Sequence, residues 1–428
     1  MLNPLAQELN NVLRGTIAQN LFSDLGTRIF FPNGIIAQSG EAKKLGTVAN
    51  GTIGMAVIGG HPVTLDCIHK YADKLTDAEL VAYAPTAGNA ELRQMWKEKL
   101  IQKNPSLKNK SFSLPVLVPG LTAGISYLSD LFLDSEKTLL AADPSWDNYS
   151  LIAETRRGAG FKQFNLFKDG KFDMESFESC VKEEAKSGSV RVLLNFPQNP
   201  SGYSPTKAEA AKICDILKEV AENGAKVLAI SDDAYFGLNY EEDIYPESLF
   251  ARTADLHKNI LAVKIDGPTK EDFVWGFRSG FLTFANPEMT EEQYTALITK
   301  LMGVIRSSVS CASTPGQSML LKAMKDPAIE EQKLAFRKVL KERYDIVKNF
   351  VNTHKCSNLN PLPFNSGYFM SFEVPSKKAY DLRVKLLHHN GIGTVAIDNK
   401  TLRVAFSSIE TDKLLTVYET IYKVAEEL

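Results

Sequence analysis

The sequence predicts an α/β fold: a mostly parallel sheet of seven strands with helices on both faces, followed by a smaller α+β portion. Three observations carry this. Short apolar, β-branched runs alternate with helical patterns up to about residue 320. Beyond that point, long charged helices flank short strands. Across the 428 residues, hydrophobic content is 44% and charged content 23%, which suits a large packed core and excludes wholesale disorder.

In order, the expected strands are Leu114–Pro119, Thr138–Ala142, Gly160–Phe164, Val190–Phe196, Lys226–Asp232, Asn259–Ile265 and Ser279–Phe284. Each is a short apolar run closed by turn formers. Helical periodicity fills the gaps at Ala123–Leu133, Tyr149–Arg157, Met174–Ser187, Lys207–Asn223 and Glu291–Ser307. The later portion offers helices Pro327–Lys355, Lys377–Asn390 and Thr411–Glu427, with strands Gly367–Glu373, Gly393–Ala396 and Leu402–Phe406. This divides the chain into a large domain, 57–320, and a small α+β domain made of 1–56 and 321–428. The helix before Asn20 is expected to join the small domain or a partner subunit. No Gly/Ser-rich linker separates the two, so they should pack against each other.

The formal net charge of −2 argues against nucleic acid or an anionic membrane as the main partner. Five dispersed cysteines without a Cys-x-x-Cys pair read as reduced thiols in the cytoplasm. His61 and His69 lack metal-ligand company, so no metal is expected. No segment approaches 18 uninterrupted apolar residues, and no basic-apolar leader opens the chain, so neither membrane spanning nor secretion is expected.

Candidate chemistry lies mainly at strand ends, where ligands of such sheets bind. Gly120, Leu121 and Thr122 open a helix after a strand, where free N–H groups and a hydroxyl suit an anion. An ordinary βα turn is the rival reading. Trp146 follows the next strand and can stack on a flat cofactor, or simply fill the core. Asn199 sits in the turn Asn195–Gly202, where its amide can donate to a phenolate oxygen or close an Asx-turn. Asp232 ends another strand, placed to keep a ring nitrogen protonated or to cap a helix, and Tyr235 can share the phenolate. Lys270 and Arg278 share the stretch Asp266–Gly280. A buried lysine can hold an aldehyde cofactor as a Schiff base, and a guanidinium can hold that cofactor's phosphate. Arg403, in a strand-like run, faces solvent unless it clamps a carboxylate.

The order and spacing of these residues, from about 55 to 407, resemble the class I/II aminotransferases, the fold type I enzymes that use pyridoxal 5′-phosphate. The nearest echoes are of the aspartate, tyrosine and aromatic aminotransferases: Pro144-Ser-Trp-Asp-Asn148, Asp232-Asp-Ala-Tyr-Phe-Gly237 and Asn199-Pro-Ser-Gly202. The resemblance implies transamination between an L-amino acid (aspartate, glutamate or aromatic) and a 2-oxo acid. It implies Lys270 as the Schiff-base lysine and Asp232 as the ring-nitrogen partner. It also implies that Tyr83 reaches the cofactor phosphate of the neighbouring subunit in a homodimer. Gly60 belongs to a segment resembling the loop over the substrate carboxylate, and Arg403 matches the arginine that binds that carboxylate. Arg306, in Ile305-Arg-Ser-Ser-Val-Ser310, resembles the arginine that grips a distal carboxylate. One departure concerns the phosphate: the family's Ser-x-x-Lys is Gly267-Pro-Thr-Lys270 here, leaving Thr269 or the backbone to replace a hydroxyl. Two alternatives stay open: a pyridoxal-phosphate lyase on the same scaffold, and the sensor domain of a cofactor-dependent regulator.

Overall fold

The computed structural model describes residues 2–32 and 34–428. Seven strands form the central sheet: β1 Val116–Val118, β2 Thr138–Asp143, β3 Gly160–Asn165, β4 Ser189–Asn195, β5 Lys226–Asp232, β6 Ile260–Asp266 and β7 Gly280–Ala285. Their spatial order is β1-β7-β6-β5-β4-β2-β3. All neighbours run parallel except β7, which is antiparallel to both β6 and β1. The expected seven strands are therefore present within one or two residues of their predicted bounds. Nearly every residue of β4 to β7 is buried, as a sheet covered on both faces requires.

Helices follow the strands. Leu121–Phe132 begins at Gly120, whose φ of 92° only glycine adopts readily. Lys207–Glu222 begins with a capping box from Thr206 and Glu209. The predicted helix Tyr149–Arg157 is instead a short helical turn, Asn148–Ser150, running into a π-helical segment, Leu151–Arg156. Several helices escaped the sequence reading, among them Ile35–Leu45, Asp66–Ala72, Ala90–Lys103 and Thr314–Met324.

A second, four-stranded antiparallel sheet holds β8 Asn360–Pro361, β9 Met370–Glu373, β10 Val395–Ala396 and β11 Thr401–Val404, in the order β8-β9-β11-β10. Its apolar face packs with the helices Ala379–Asn390 and Leu414–Glu426 and the far half of Ile329–Thr353 into a core of its own. The start of the chain divides its contacts. Helix Ile35–Leu45 joins the small sheet, where the Gln38 amide exchanges two hydrogen bonds of 2.9 Å with Ala396. Arg28, by contrast, donates to the Thr155 and Arg156 carbonyls beside the large sheet.

Candidate active site

The strand ends build a shared floor. Asn195 ends β4 and lies in register with Asp232 at the end of β5. The Asn195 amide donates to the Asp232 carbonyl at 2.8 Å, and its oxygen accepts the Asn199 N–H at 2.9 Å. Strand β6 ends at Asp266, and the chain then turns through Gly267 into the short helix Pro268–Glu271, which carries Lys270.

Above this floor is a cavity of about 250 Å³. Leu121, Thr122, Trp146, Asn199, Asp232, Tyr235, Lys270, Arg278 and Arg403 all line it. Most of the residues predicted from separate stretches of sequence thus meet in one place.

Asp232 is 3% exposed. Its carboxylate accepts the Tyr149 hydroxyl at 2.5 Å and the Ala234 N–H at 3.1 Å. Burial raises its pKa, and the Tyr149 donation and the Lys270 charge oppose that rise. Tyr149 is itself raised well above the ordinary tyrosine range by burial and by Asp232, so it stays a donor.

The Lys270 ammonium lies 4.6 Å from the centre of the Tyr235 ring. Desolvation brings its pKa down to about 8; Asp232 opposes the fall and Arg278 adds to it. A lysine so placed supplies free amine near neutral pH.

Arg278 adopts a left-handed conformation, φ 51°, and one Nη donates to the Trp275 carbonyl at 3.2 Å. Its guanidinium lies against Gly120: a Cβ there would sit 2.5 Å from Nη2. Gly120 therefore lets a guanidinium approach the first turn of a helix, where N–H groups lack intrahelical partners. Guanidinium, helix amides and the Thr122 hydroxyl make a cradle suited to a phosphate.

Arg403 is 2% exposed. One Nη donates to Asn199 Oδ1 at 3.0 Å, the other to the Thr52 carbonyl at 2.8 Å, and the Phe369 ring lies 4.3 Å from Cζ. Its Nε is buried without a partner. Burial lowers its pKa to about 10, which leaves it a cation at neutral pH. An unsatisfied buried N–H beside a cavity is what a carboxylate ligand would complete.

Three predicted residues lie elsewhere. Gly60 is in the hairpin turn between Val57–Ile58 and His61–Pro62, where its N–H donates to Glu410 at 3.0 Å; Gly54 lines the cavity in its stead. Tyr83 is 94% exposed and does not line the cavity of its own chain. Arg306 is exposed near the end of helix Glu291–Ser308 and is also outside it.

Residues that the sequence reading gave no role include Tyr149, Asn195, Ile35, Gly54 and Phe369. Asn195 opens the turn Asn195–Gly202 and Tyr149 directly follows Pro144–Asn148, so the neighbouring motifs carried a signal. The others come from distant stretches with no motif. At Gly267, a Cβ would meet the Ser279 carbonyl at 2.8 Å and Gly280 Cα at 3.1 Å, so the missing serine reflects close backbone packing. Thr269, 5% exposed and at the cavity wall, supplies the neighbouring hydroxyl. Among the described residues no group of His, Cys, Asp and Glu is placed to hold a metal.

Comparison with known proteins agrees with this geometry. The fold matches a crystal structure of an aminotransferase from Anaerococcus prevotii with a TM-score of 0.82 and 22% identity, over 95% of this chain and 98% of that one. It also matches Thermus thermophilus aspartate aminotransferase with maleate, TM-score 0.75 and 18% identity, over 94% and 99%. A probable N-acetyl-LL-diaminopimelate aminotransferase of Bacillus subtilis is 24% identical over 76% of this chain and 75% of its own. An aspartate aminotransferase of Sulfurisphaera tokodaii is 22% identical over 77% of each. Residues 57–421 match the family aminotransferase class I and II, and the chain belongs to that family, the pyridoxal-phosphate-dependent transaminases of fold type I.

Proposed function

We propose that this transaminase takes an L-amino acid of the aspartate, glutamate or aromatic type and passes its amino group to a 2-oxo acid, with Lys270 as the proton-moving base. The observation that carries the reading is the convergence of Lys270, Asp232, Arg278 and Arg403 on one cavity at the carboxyl ends of the strands.

When bound, pyridoxal 5′-phosphate supplies an aldehyde that takes up the amine and a ring that accepts the electrons released at Cα. The chain's own residues do the rest. Arg278, Gly120, Leu121 and Thr122 bind the phosphate. Trp146 and Tyr235 fix the plane and the edge of the ring. Asp232, held by Tyr149, keeps the ring nitrogen protonated. Arg403 and Asn199 hold the substrate α-carboxylate. The Lys270 amine, free near pH 8, takes the Cα proton and returns it on the other side of the exchange.

The proposal extends to the assembly. Tyr83 reaches the phosphate of a second copy in a homodimer, and Arg306 reads a distal carboxylate from across the interface; the exposure of both residues supports this. Residues 57–320 form the cofactor-binding domain, with 1–56 and 321–428 the smaller α+β one. Five unpaired cysteines support a reducing cytoplasm, and among the described residues no helix is long and apolar enough to cross a membrane.

The test is Lys270→Ala. The purified variant should lack the visible absorbance of the holoenzyme and lose turnover by about 10⁴-fold or more, in line with removal of an essential base. Retention of both would remove the assignment. Mixing the wild-type holoenzyme with aspartate, glutamate and aromatic donors, and following loss of the visible band, identifies the substrate.

A further inference from the structure

Two buried cations on one helix stand behind the two ends of the active site. Helix Ile329–Thr353 is 25 residues long, so it spans about 37 Å. Near its start, Lys333 is fully buried. Its ammonium pairs with Asp272 at 2.8 Å, Glu271 at 3.3 Å and Glu330 at 3.0 Å. Glu271 and Asp272 directly follow Lys270. Helix Ala90–Lys103 reaches the same carboxylates from the other side: Lys99 pairs with Asp272 at 3.0 Å and Glu271 at 3.2 Å, and Lys103 with Glu271. The turn that carries Lys270 is thus gripped by three lysines from two helices.

About 15 Å further along the same axis is Arg343, 1% exposed. It donates to the Ser407 carbonyl at 2.6 Å, to Thr411 Oγ1 at 3.2 Å and to Glu410 at 3.2 Å. Glu410 accepts the Gly60 N–H, and the Ser407 hydroxyl donates to the Met55 carbonyl at 3.1 Å. The chain from Arg403 to Glu410 and the loop from Thr52 to Gly60, which supplies Gly54 to the cavity wall, are therefore braced from one guanidinium.

We infer that Lys333 and Arg343 are positioning residues, and that helix Ile329–Thr353 is the rod that sets the distance between Lys270 and the Arg403 carboxylate clamp. A helix is stiff along its axis, so two buried anchors on it fix two segments that share no strand. Displacement of a reacting group by about 1 Å can cost 10²-fold in rate. Each anchor should therefore govern a different kinetic parameter. The Lys333 end holds the proton-moving amine, which acts in kcat. The Arg343 end holds the carboxylate clamp, which contributes uniform binding and acts in KM.

This rests on the roles proposed for Lys270 and Arg403, and it fails separately from them: Lys270→Ala and Arg403→Lys test those roles directly, whatever the helix does. The experiment measures kcat and KM of holoenzyme variants whose melting and near-ultraviolet circular dichroism remain those of the wild type. Lys333→Met should lower kcat about tenfold or more with KM held within about twofold, and Lys333→Arg should restore most of it. Arg343→Met should raise KM about tenfold or more with kcat held within about threefold, and Arg343→Lys should recover part of it. If a Met variant does not fold, Glu330→Gln and Glu410→Gln weaken the same anchors from their more exposed partners, and the same split is expected at smaller size. Folded variants that leave both parameters unchanged would overturn the inference. So would variants at the two ends that shift kcat and KM in the same proportions.

Discussion

Gly267 ends the tight passage from β6 to the turn that bears Lys270. Its φ of 169° is ordinary extended backbone, so conformation does not demand glycine there. Space does: the Ser279 carbonyl, Gly280 Cα and the Leu121 side chain surround the place of a Cβ, at 2.8, 3.1 and 3.0 Å. Two of these are backbone atoms and cannot swing aside. Gly267→Ser, which would recreate the family's usual serine, should therefore destabilise the protein by about 1–3 kcal/mol, as overpacking does. It should also fail to tighten cofactor binding, measured by equilibrium dialysis of pyridoxal 5′-phosphate against thermal melting of the same samples. A variant both more stable and tighter would show that the backbone yields. The sequence revealed that the serine was absent; the reason needed the neighbouring strand, because β7 returns antiparallel to β6 and brings Ser279 and Gly280 against residue 267.

At the scale of elements, the hydrogen bond between Tyr149 and Asp232 joins the turn after β2 to the end of β5. It is one of the influences that hold the Asp232 pKa down against burial. Removing it in Tyr149→Phe should raise that pKa, because the charged carboxylate loses a donor. A group whose pKa rises becomes protonated at higher pH on the way down. The acid limb of the kcat–pH profile should therefore move to higher pH, and kcat at pH 7 should fall about tenfold, the worth of a hydrogen bond to a charged group. An unmoved acid limb would show that Tyr149 does not tune Asp232.

Strands such as Val190–Phe196 and Lys226–Asp232 were legible because a sheet buried on both faces leaves continuous apolar runs. Helix Ala90–Lys103 was not. Leu92, Trp96 and Leu100 are its buried stripe, but lysine, glutamate and arginine fill most other positions and dilute the period. Candidate residues at strand ends could be brought to one cavity because turn formers mark where each legible strand closes. Ile35, Gly54 and Phe369 were not, because they reach the cavity from the start of the chain and from the small sheet, through contacts that no local pattern encodes.

At the scale of the whole molecule, Leu121, Thr122 and Arg278 line the cavity of one chain and Gly120 lies against the Arg278 guanidinium, whereas Tyr83 projects into solvent. Exposed apolar side chains precede it in sequence: Leu80 at 49% and Val81 at 78%. A large aromatic beside them, with nothing of its own chain over it, fits a surface that a second copy covers. Complementation separates action across the interface from action within one chain. Lys270→Ala and Tyr83→Ala chains, each poorly active alone, are unfolded together and refolded as a mixture. If Tyr83 serves the neighbour's site, each mixed dimer gathers both lesions into one site and leaves the other intact. Random pairing makes half the dimers mixed, so about a quarter of all sites regain wild-type turnover. If Tyr83 served its own chain, each mixed dimer would hold one site without the lysine and one without the tyrosine. Mixing would then restore nothing beyond the average of the two parents.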